Sequence, residues 1–327
     1  MTLLVTGGAG FIGSNFIFYW IKNHPEDRVV CLDKLTYAGN RATLAPVLEH
    51  PSFRFVRGDI CDREAVDRLF GEEHPQAVIN FAAESHVDRS IQDPGVFLEA
   101  NVLGTQVLLD ACRAHGGVRF HQVSTDEVYG DLPLDRPDLL FTENQPPAAQ
   151  QPIQRLQSGG RPAGPGLRTH LRPARDGEPL LQQLRPLPVP GEAYSPDDRP
   201  ALAGKTLPVY GEGENVRDWL HVDDHCAALD IILQKGRAGE VYNIGGRSER
   251  TNLEIVGLIC RRLEVPPEQV VHVADRKGHD KRYAIDSGKL SRQLGWHPQV
   301  PFEAGMEETI NWYLDHRPWW EPLAGEV

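Results

Sequence analysis

The run Thr6-Gly7-Gly8-Ala9-Gly10-Phe11-Ile12-Gly13 constrains this chain more than any other feature. It follows directly on a short apolar run, Thr2–Thr6. It opens a stretch, Ser14 to Lys22, whose apolar residues Phe16, Ile17, Trp20 and Ile21 share one face at helical spacing. Strand, glycine turn and helix therefore stand in the order a dinucleotide site needs. Glycines permit a tight turn and close backbone approach to a pyrophosphate, while the helix start offers N–H groups and partial positive charge. A glycine triplet alone also marks many ordinary turns. Here a second strand-like run, Arg28–Leu32, ends at Asp33, 20 residues past Gly13. A carboxylate at that place accepts hydrogen bonds from an adenosine ribose and repels a 2′-phosphate. The pattern points to NAD rather than NADP; the alternative is that Asp33 is a plain strand-end turn residue.

The alternation continues along the first 144 residues. Phe53–Val56 reads as a strand ending in Gly58-Asp59-Ile60, and Arg63–Phe70 as a helix. Ala77–Ala83 is apolar enough for a strand buried on both faces. Pro94–His115 reads as one helix with Phe97, Val102, Leu108, Leu109 and Cys112 inward, and Val118–Ser124 as a further strand. Such repetition predicts an α/β fold, a Rossmann-type doubly wound parallel sheet over 1–144. Residues 201–327 are expected to form mainly a smaller C-terminal substrate-binding domain that returns elements to the first. Ligands on these sheets sit at the carboxyl ends of the strands. That rule directs attention to Asp33, to Asp59-Ile60, to Ala82–His86 and to Ser124–Tyr129.

Charge and cysteine usage narrow the class. The chain carries 34 basic against 46 acidic residues, a net charge of −12, so nonspecific nucleic-acid binding is excluded and any anionic ligand must be held by local groups. Cys31, Cys61, Cys112, Cys226 and Cys260 are scattered, with no CxxC pair and no metal-ligand spacing, the pattern of reduced thiols in a cytosolic protein. No apolar stretch is long enough to span a bilayer, and a strand-like run starting at Thr2 leaves no visible signal peptide. A soluble cytoplasmic enzyme is expected, with no metal.

Chemistry concentrates at Ser124-Thr125-Asp126-Glu127-Val128-Tyr129-Gly130. Two adjacent carboxylates at a strand end divide acid and base work if their environments split their pKa values, and otherwise form a solvated turn. The glycine motif resembles that of the extended short-chain dehydrogenase/reductase (NAD-dependent epimerase/dehydratase) family. Within it, the match is to the sugar-nucleotide dehydratases that act on dTDP-glucose. It rests on Asp33-Lys34-Leu35-Thr36-Tyr37-Ala38-Gly39-Asn40, on Ala82-Ala83-Glu84-Ser85-His86-Val87-Asp88-Arg89-Ser90 and on Thr125-Asp126-Glu127. Arg217-Asp218-Trp219-Leu220, Tyr242-Asn243-Ile244-Gly245-Gly246 and His279-Asp280-Lys281-Arg282-Tyr283 extend it downstream.

The resemblance implies hydride removal at the sugar C4, loss of water across C5–C6 and hydride return at C6, with NAD regenerated. By motif position Asp126 would protonate the leaving hydroxyl, Glu127 would take the C5 proton and Thr125 would bind the sugar near C4. Its implied cofactor contacts are Gly7, Gly10, Phe11, Ile12, Gly13, Asp33, Lys34, Leu35, Thr36, Asp59, Ile60, Phe81, Ala82, Ala83, Glu84, Ser85 and Ala100. Its implied sugar-nucleotide contacts are Ser85, Thr125, Arg217, Asn252, Asp275, Arg276, Lys277, Gly278 and His279, with Lys277 standing where the family has proline. Arg217 suits a diphosphate by its planar fork of donors; a surface ion pair with Asp218 is the alternative. His279 taken alone would more often be an ordinary surface histidine. A homodimer is implied by the same resemblance. Two other readings remain: a sugar-nucleotide 4-epimerase, which needs no acid–base pair, and a non-catalytic NAD and sugar-nucleotide binding protein.

One stretch departs from the family. Its members oxidise C4 with a tyrosine base and a lysine four residues later, and this chain contains no YxxxK. The expected place reads Pro152-Ile153-Gln154-Arg155-Leu156-Gln157. From Gln145 to Pro200, 56 residues hold 12 of the chain's 26 prolines, 7 Gln and 7 Arg, no Lys, and Tyr194 as the only Phe, Trp or Tyr. Such composition belongs to linkers, yet here it interrupts a parallel sheet. Reading the codons of Pro152 to Ser158 one base later allows CCA-TAC-AGC-GCC-TCC-AAA, Pro-Tyr-Ser-Ala-Ser-Lys. Tyrosine then falls where Ile153 stands and lysine where Gln157 stands. The same offset over Gln182–Ser195 allows Asn-Asn-Tyr-Gly-Pro-Tyr-Gln-Phe-Pro-Glu-Lys-Leu-Ile-Pro, which resembles the family's substrate-binding segment. The expectation is a frameshifted reading over 145–200 with a compensating shift near Pro200, the alternative being a genuine insertion. On either account the segment is expected to be mostly coil, and the chain as written inactive or poorly folded.

Overall fold

The computed structural model describes residues 1–85, 93–146, 167–171, 207–275 and 279–317, with Leu167–Leu171 described by backbone alone. Its strands in chain order are β1 Thr2–Thr6, β2 Arg28–Asp33, β3 Phe53–Arg57, β4 Ala77–Asn80, β5 Arg119–Thr125 and β6 Leu167–Leu171. They continue with β7 Leu207–Tyr210, β8 Val216–Asp218, β9 Val241–Ile244, β10 Glu249–Thr251 and β11 Val270–Val273. Seven form one parallel sheet in the order β3-β2-β1-β4-β5-β6-β9. The central strands are apolar on both faces, and alternate residues serve opposite cores. Leu3 and Val5 join Phe16, Ile17 and Trp20 of helix Phe11–Asn23 and Leu229 and Ile232 of helix Val222–Lys235. Leu4, Val30 and Val78 point the other way, onto Val66 and Phe70 of helix Arg63–Glu73 and Leu108 and Cys112 of helix Thr105–Ala114.

Two expectations about element bounds are corrected. The strand read over Ala77–Ala83 stops at Asn80. Gly7 sits at φ +66°, and a Cβ there would lie 2.6 Å from the Ala82 nitrogen, so the chain leaves the sheet where the glycine turn crowds it. The helix read over Pro94–His115 is interrupted. Pro94–Leu98 and Thr105–Ala114 are α-helical, whereas Glu99–Gly104 is a π-helical turn. Its wider winding re-phases the inner face: Phe97, Leu108 and Cys112 are buried as expected, Val102 and Leu109 only half, and Asn101 turns inward.

The segment expected to be mostly coil contains a strand at Leu167–Leu171. This strand pairs β5 from His121↔Leu167 to Thr125↔Leu171, and β9 from Arg168↔Val241 to Leu171↔Ile244. Without it, β5 and β9 would each present an unpaired row of N–H and C=O groups. Backbone pairing fills that place whatever side chains the segment carries. Residues 147–166 and 172–200, including the expected tyrosine and lysine positions, lie outside the described residues.

The remaining strands form two small sheets, β7 with β11 and β8 with β10. Leu207 and Val209 of β7 pack on Ile255 and Ile259 of helix Asn252–Leu263 and on Ile310 and Tyr313 of helix Phe302–Asp315. Arg282 ties this part to the first. Its fork meets Glu249 at 2.7 and 2.9 Å, and its other donors reach the carbonyls of Arg136, Pro137 and Leu139. All five N–H donors are used, which suits a guanidinium that is almost wholly buried. Among the described residues no helix is long and apolar enough to cross a membrane.

Two buried histidines make the fold acid-sensitive. His121 in β5 and His225 are enclosed, and burial pushes both imidazoles down to about 3, with the Arg119 and His225 charges adding to the effect on His121. Unfolded, each titrates near 6.5. Between those values the unfolded chain takes up protons that the fold refuses, so stability falls as pH drops below about 6.5. The expected loss is about 1.4 kcal/mol per pH unit for each histidine, read from urea midpoints between about pH 7 and pH 5. His225→Leu should halve the slope, and a midpoint that does not move with pH would refute the neutral burial of both rings.

Candidate active site

The glycine turn is built by close approach. Gly7 lies against Ala82, and a Cβ on Gly13 would meet the Gly7 carbonyl at 2.4 Å. At Gly10 a Cβ would meet nothing nearer than 3.3 Å, and Gly10 caps helix Phe11–Asn23 without any side-chain hydrogen bond. The open side of the turn is thus a bare helix N-terminus with no acidic residue in its first turn. Asp33 stands beside it, its carboxylate accepting from the Ala9 N–H at 2.9 Å and the Leu35 N–H at 2.8 Å. Burial pushes this carboxyl up, against the two N–H donors that hold it down. A buried carboxylate beside a glycine cradle is an arrangement that fits a dinucleotide without a 2′-phosphate.

The loops after the neighbouring strands complete that edge. Lys34 Nζ meets Asp59 at 2.5 Å, and Leu35 holds a positive φ of +57° as the chain turns towards Thr36. Burial raises the Asp59 carboxyl, but the Lys34 contact and the hydrogen bonds from Cys61 together outweigh it and the net shift is downward. Ile60 is buried under Gly104 of the π-helical turn. After β4, Phe81 to Ser85 run as an irregular loop in which Glu84 is buried. Asn101 fixes this loop from the π-helical turn: its Oδ1 accepts the Glu84 N–H at 2.8 Å and its Nδ2 donates to the Glu84 carbonyl at 2.9 Å. Ala100 precedes it in the same turn. Residues 86–92, including the rest of the Glu-Ser-His motif, lie outside the described residues.

At the end of β5 the Asp126–Tyr129 turn is a single 3-10 turn, and its carboxylates are enclosed: Asp126 is 0% and Glu127 6% exposed. The solvated-turn alternative is therefore excluded. Thr125 Oγ1 accepts from the Glu127 N–H at 3.3 Å and donates to Asp126 Oδ1 at 3.2 Å, so the threonine orders both acids. Parallel register sets β5 beside β4, and the turn opens at the same sheet end as the glycine cradle.

Arg217 is fully buried rather than a surface partner of Asp218. Neighbours in β8 point to opposite faces. Arg217 donates to the carbonyls of Val216, Asp280 and Lys281 and lies 4.7 Å from the Tyr283 ring centre, whereas Asp218 accepts from the Ser248 N–H. Its Nη2 also donates to His279 Nε2 at 3.2 Å, while His279 Nδ1 faces Asp275 at 2.6 Å. A guanidinium has no lone pair to offer, so His279 accepts through Nε2 and carries its proton on Nδ1. His279 is accordingly a buried member of this group and not a free surface histidine. Asn252 is buried at the start of its helix. Arg276, Lys277 and Gly278 lie outside the described residues. The sequence reading missed Asn101 as a site residue, although a polar residue on the inner side of an amphipathic helix is a readable signal.

The family model for GDP-mannose 4,6 dehydratase matches residues 4–153 and 199–309, leaving 154–198 unmatched. A dTDP-glucose 4,6-dehydratase of Escherichia coli is 44% identical over 343 aligned residues, covering 98% of this chain and 94% of that protein. One from Xanthomonas campestris is 45% identical, covering 97% and 94%. A crystal structure of the Streptomyces venezuelae dTDP-glucose 4,6-dehydratase with NAD and TYD bound gives a TM-score of 0.86 at 42% identity, over 99% of this chain and 100% of that one. The UDP-glucose 4-epimerase of Thermotoga maritima shares the fold at a TM-score of 0.81, at only 25% identity.

The position of Asp33 gives a direct test of the cradle. Asp33→Ser should weaken NAD binding by roughly tenfold or more, the worth of hydrogen bonds to a charged acceptor, and erase discrimination against NADP. Calorimetric titration with both dinucleotides reads the two effects, and an unchanged preference would remove Asp33 from the ribose site.

Proposed function

Because the chain belongs to the GDP-mannose 4,6 dehydratase family, among its dTDP-glucose 4,6-dehydratases, we propose that this site converts dTDP-glucose to dTDP-4-keto-6-deoxy-glucose. The observation that carries the reading is the enclosed Thr125-Asp126-Glu127 turn opening beside the glycine cradle. An epimerase inverts C4 and has no water to expel, so a buried acid beside a buried base has no task in it.

NAD held by Gly7, Gly10, Gly13 and Asp33 would supply a reversible store for the hydride that leaves C4 and returns at C6. The rest is proton handling by the chain. Thr125 hydrogen-bonds the sugar near C4, adjacent to the bond being oxidised. Once C4 is a ketone, the C5 proton is acidified and Glu127 takes it as a carboxylate. Hydroxide is a poor leaving group, so Asp126 must deliver a proton to the C6 oxygen as it departs. The Thr125 hydroxyl, hydrogen-bonded to Asp126 and accepting from the Glu127 backbone, holds the pair in fixed relation. Arg217, Asn252 and the Asp275–His279 group bind the nucleotide diphosphate, with Ser85 on the sugar. The family relation supports a homodimer, and five free cysteines are in keeping with the reducing cytoplasm.

The tyrosine–lysine pair that should take the C4 hydroxyl proton is absent from the chain as written. We infer that residues from about Gln145 to Pro200 are a frameshifted reading of a dehydratase. The break in the family match between 153 and 199 supports this. A second reading, a binding protein without turnover, rests on the same missing pair.

Loss of a positioned base costs about 10²–10⁴ in rate, so the chain as written should form the keto-sugar that much more slowly than its relatives. Resequencing decides the cause: the codons of Ile153 and Gln154 must contain T-A followed by C or T across their junction. A gene whose segment is restored to that frame should recover turnover, followed by the absorbance of the keto product. Glu127→Gln or Asp126→Asn should then abolish it. Full turnover by the chain as written would overturn the inference, and unaltered turnover in both variants would overturn the dehydratase reading.

A further inference from the structure

The Asp126–Tyr129 turn is too short to hold itself. A single 3-10 turn contributes one i→i+3 bond, here Gly130 N–H to the Glu127 carbonyl at 3.1 Å, and such turns need outside anchors. Thr125 fixes the entry. The exit is fixed from the far end of the chain. Tyr129 Oη donates to Asn243 Oδ1 at 3.0 Å, and Asn243 is 0% exposed in β9. Asn243 Nδ2 donates to the Phe141 carbonyl at 3.0 Å, and the Asn243 N–H donates to Glu143 at 2.9 Å. A carbonyl only accepts, so the amide has one orientation, with its oxygen towards Tyr129 and the tyrosine hydroxyl as donor. Phe141 closes the ring of contacts by stacking on Tyr129, with centroids 5.3 Å apart and planes at 24°.

We propose that Asn243 is a positioning residue for the acid–base pair, acting through Tyr129 to set the direction of the Asp126 and Glu127 carboxylates. This rests on the dehydratase reading above. Asn243 does not touch the reacting atoms. It is an anchor at the exit of a four-residue turn whose entry is held by Thr125, so releasing it loosens the aim of both carboxylates. A shift of about 1 Å at such groups costs up to about a hundredfold in rate.

The missing C4 base does not prevent the test. The 4-keto-6-deoxy product already carries the C4 ketone. Glu127 can take its C5 proton to give the enolate, and a deuteron from solvent returns to C5 through the same carboxyl, with nothing oxidised or reduced. The NAD-loaded chain is incubated in D2O with dTDP-4-keto-6-deoxy-glucose, C5 deuteration is followed by NMR, and dTDP affinity is measured separately. Tyr129→Phe, which removes the donor, and Asn243→Leu, which removes its acceptor at nearly the same volume, should each lower the maximal exchange rate about tenfold, with dTDP affinity within about twofold. The double variant should be no slower than the slower single one, since both break one link. Full exchange in Tyr129→Phe, losses that multiply in the double variant, or losses that follow dTDP affinity overturn the role of Asn243. Wild-type protein that exchanges nothing overturns the dehydratase reading instead.

Discussion

Parallel pairing of β1 with both β2 and β4 is the constraint on which the site depends. Parallel strands all point their carboxyl ends the same way, so the turns after β1, β2, β4 and β5 converge on one edge. Crowding follows from convergence. At Gly7 there is no room for a Cβ against Ala82, and at Gly13 none against Gly7. The glycines therefore answer a packing demand of the protein before they serve any ligand. Their consequence is that a helix N-terminus and a buried aspartate meet across a gap narrow enough for backbone to approach a pyrophosphate.

The second physical theme is a column of rings joining the two parts of the molecule. Arg217 lies over Tyr283, Tyr283 contacts Phe141, and Phe141 stacks on Tyr129 of the acid–base turn. Rings resist shear better than aliphatic chains because their contacts are broad and their torsions few. The group expected to hold the diphosphate and the groups expected to move protons are thus connected through solid packing. Arg282 reinforces the column from outside by pinning 136–139 to Glu249.

Much of the fold was legible in the sequence. Periodicity placed the first five strands within a residue or three, and the spacing from Gly13 to Asp33 singled out the carboxylate that stands beside the glycine turn. What escaped depends on distance or on broken regularity. Asn101 was hidden because a 3.6-residue reading assumes an uninterrupted helix, and the π-helical turn changes phase inside it. Asn243 sits 114 residues from the tyrosine it holds, beyond any local pattern. Arg217 and Asp218 invited an ion-pair reading as neighbours, yet strand alternation sends them to opposite faces. The place of Leu167–Leu171 in the sheet was missed because composition speaks only for side chains.

That last strand separates two kinds of inheritance in one polypeptide. A slip of reading frame rewrites every side chain in a segment while leaving the amide spacing untouched, and β6 pairs with β5 and β9 through its backbone. Strand pairing and side-chain chemistry therefore reside in different atoms. A gene damaged in this way can still specify a strand that keeps its register between two neighbours. The damage surfaces where a particular hydroxyl or ammonium group has to meet a substrate.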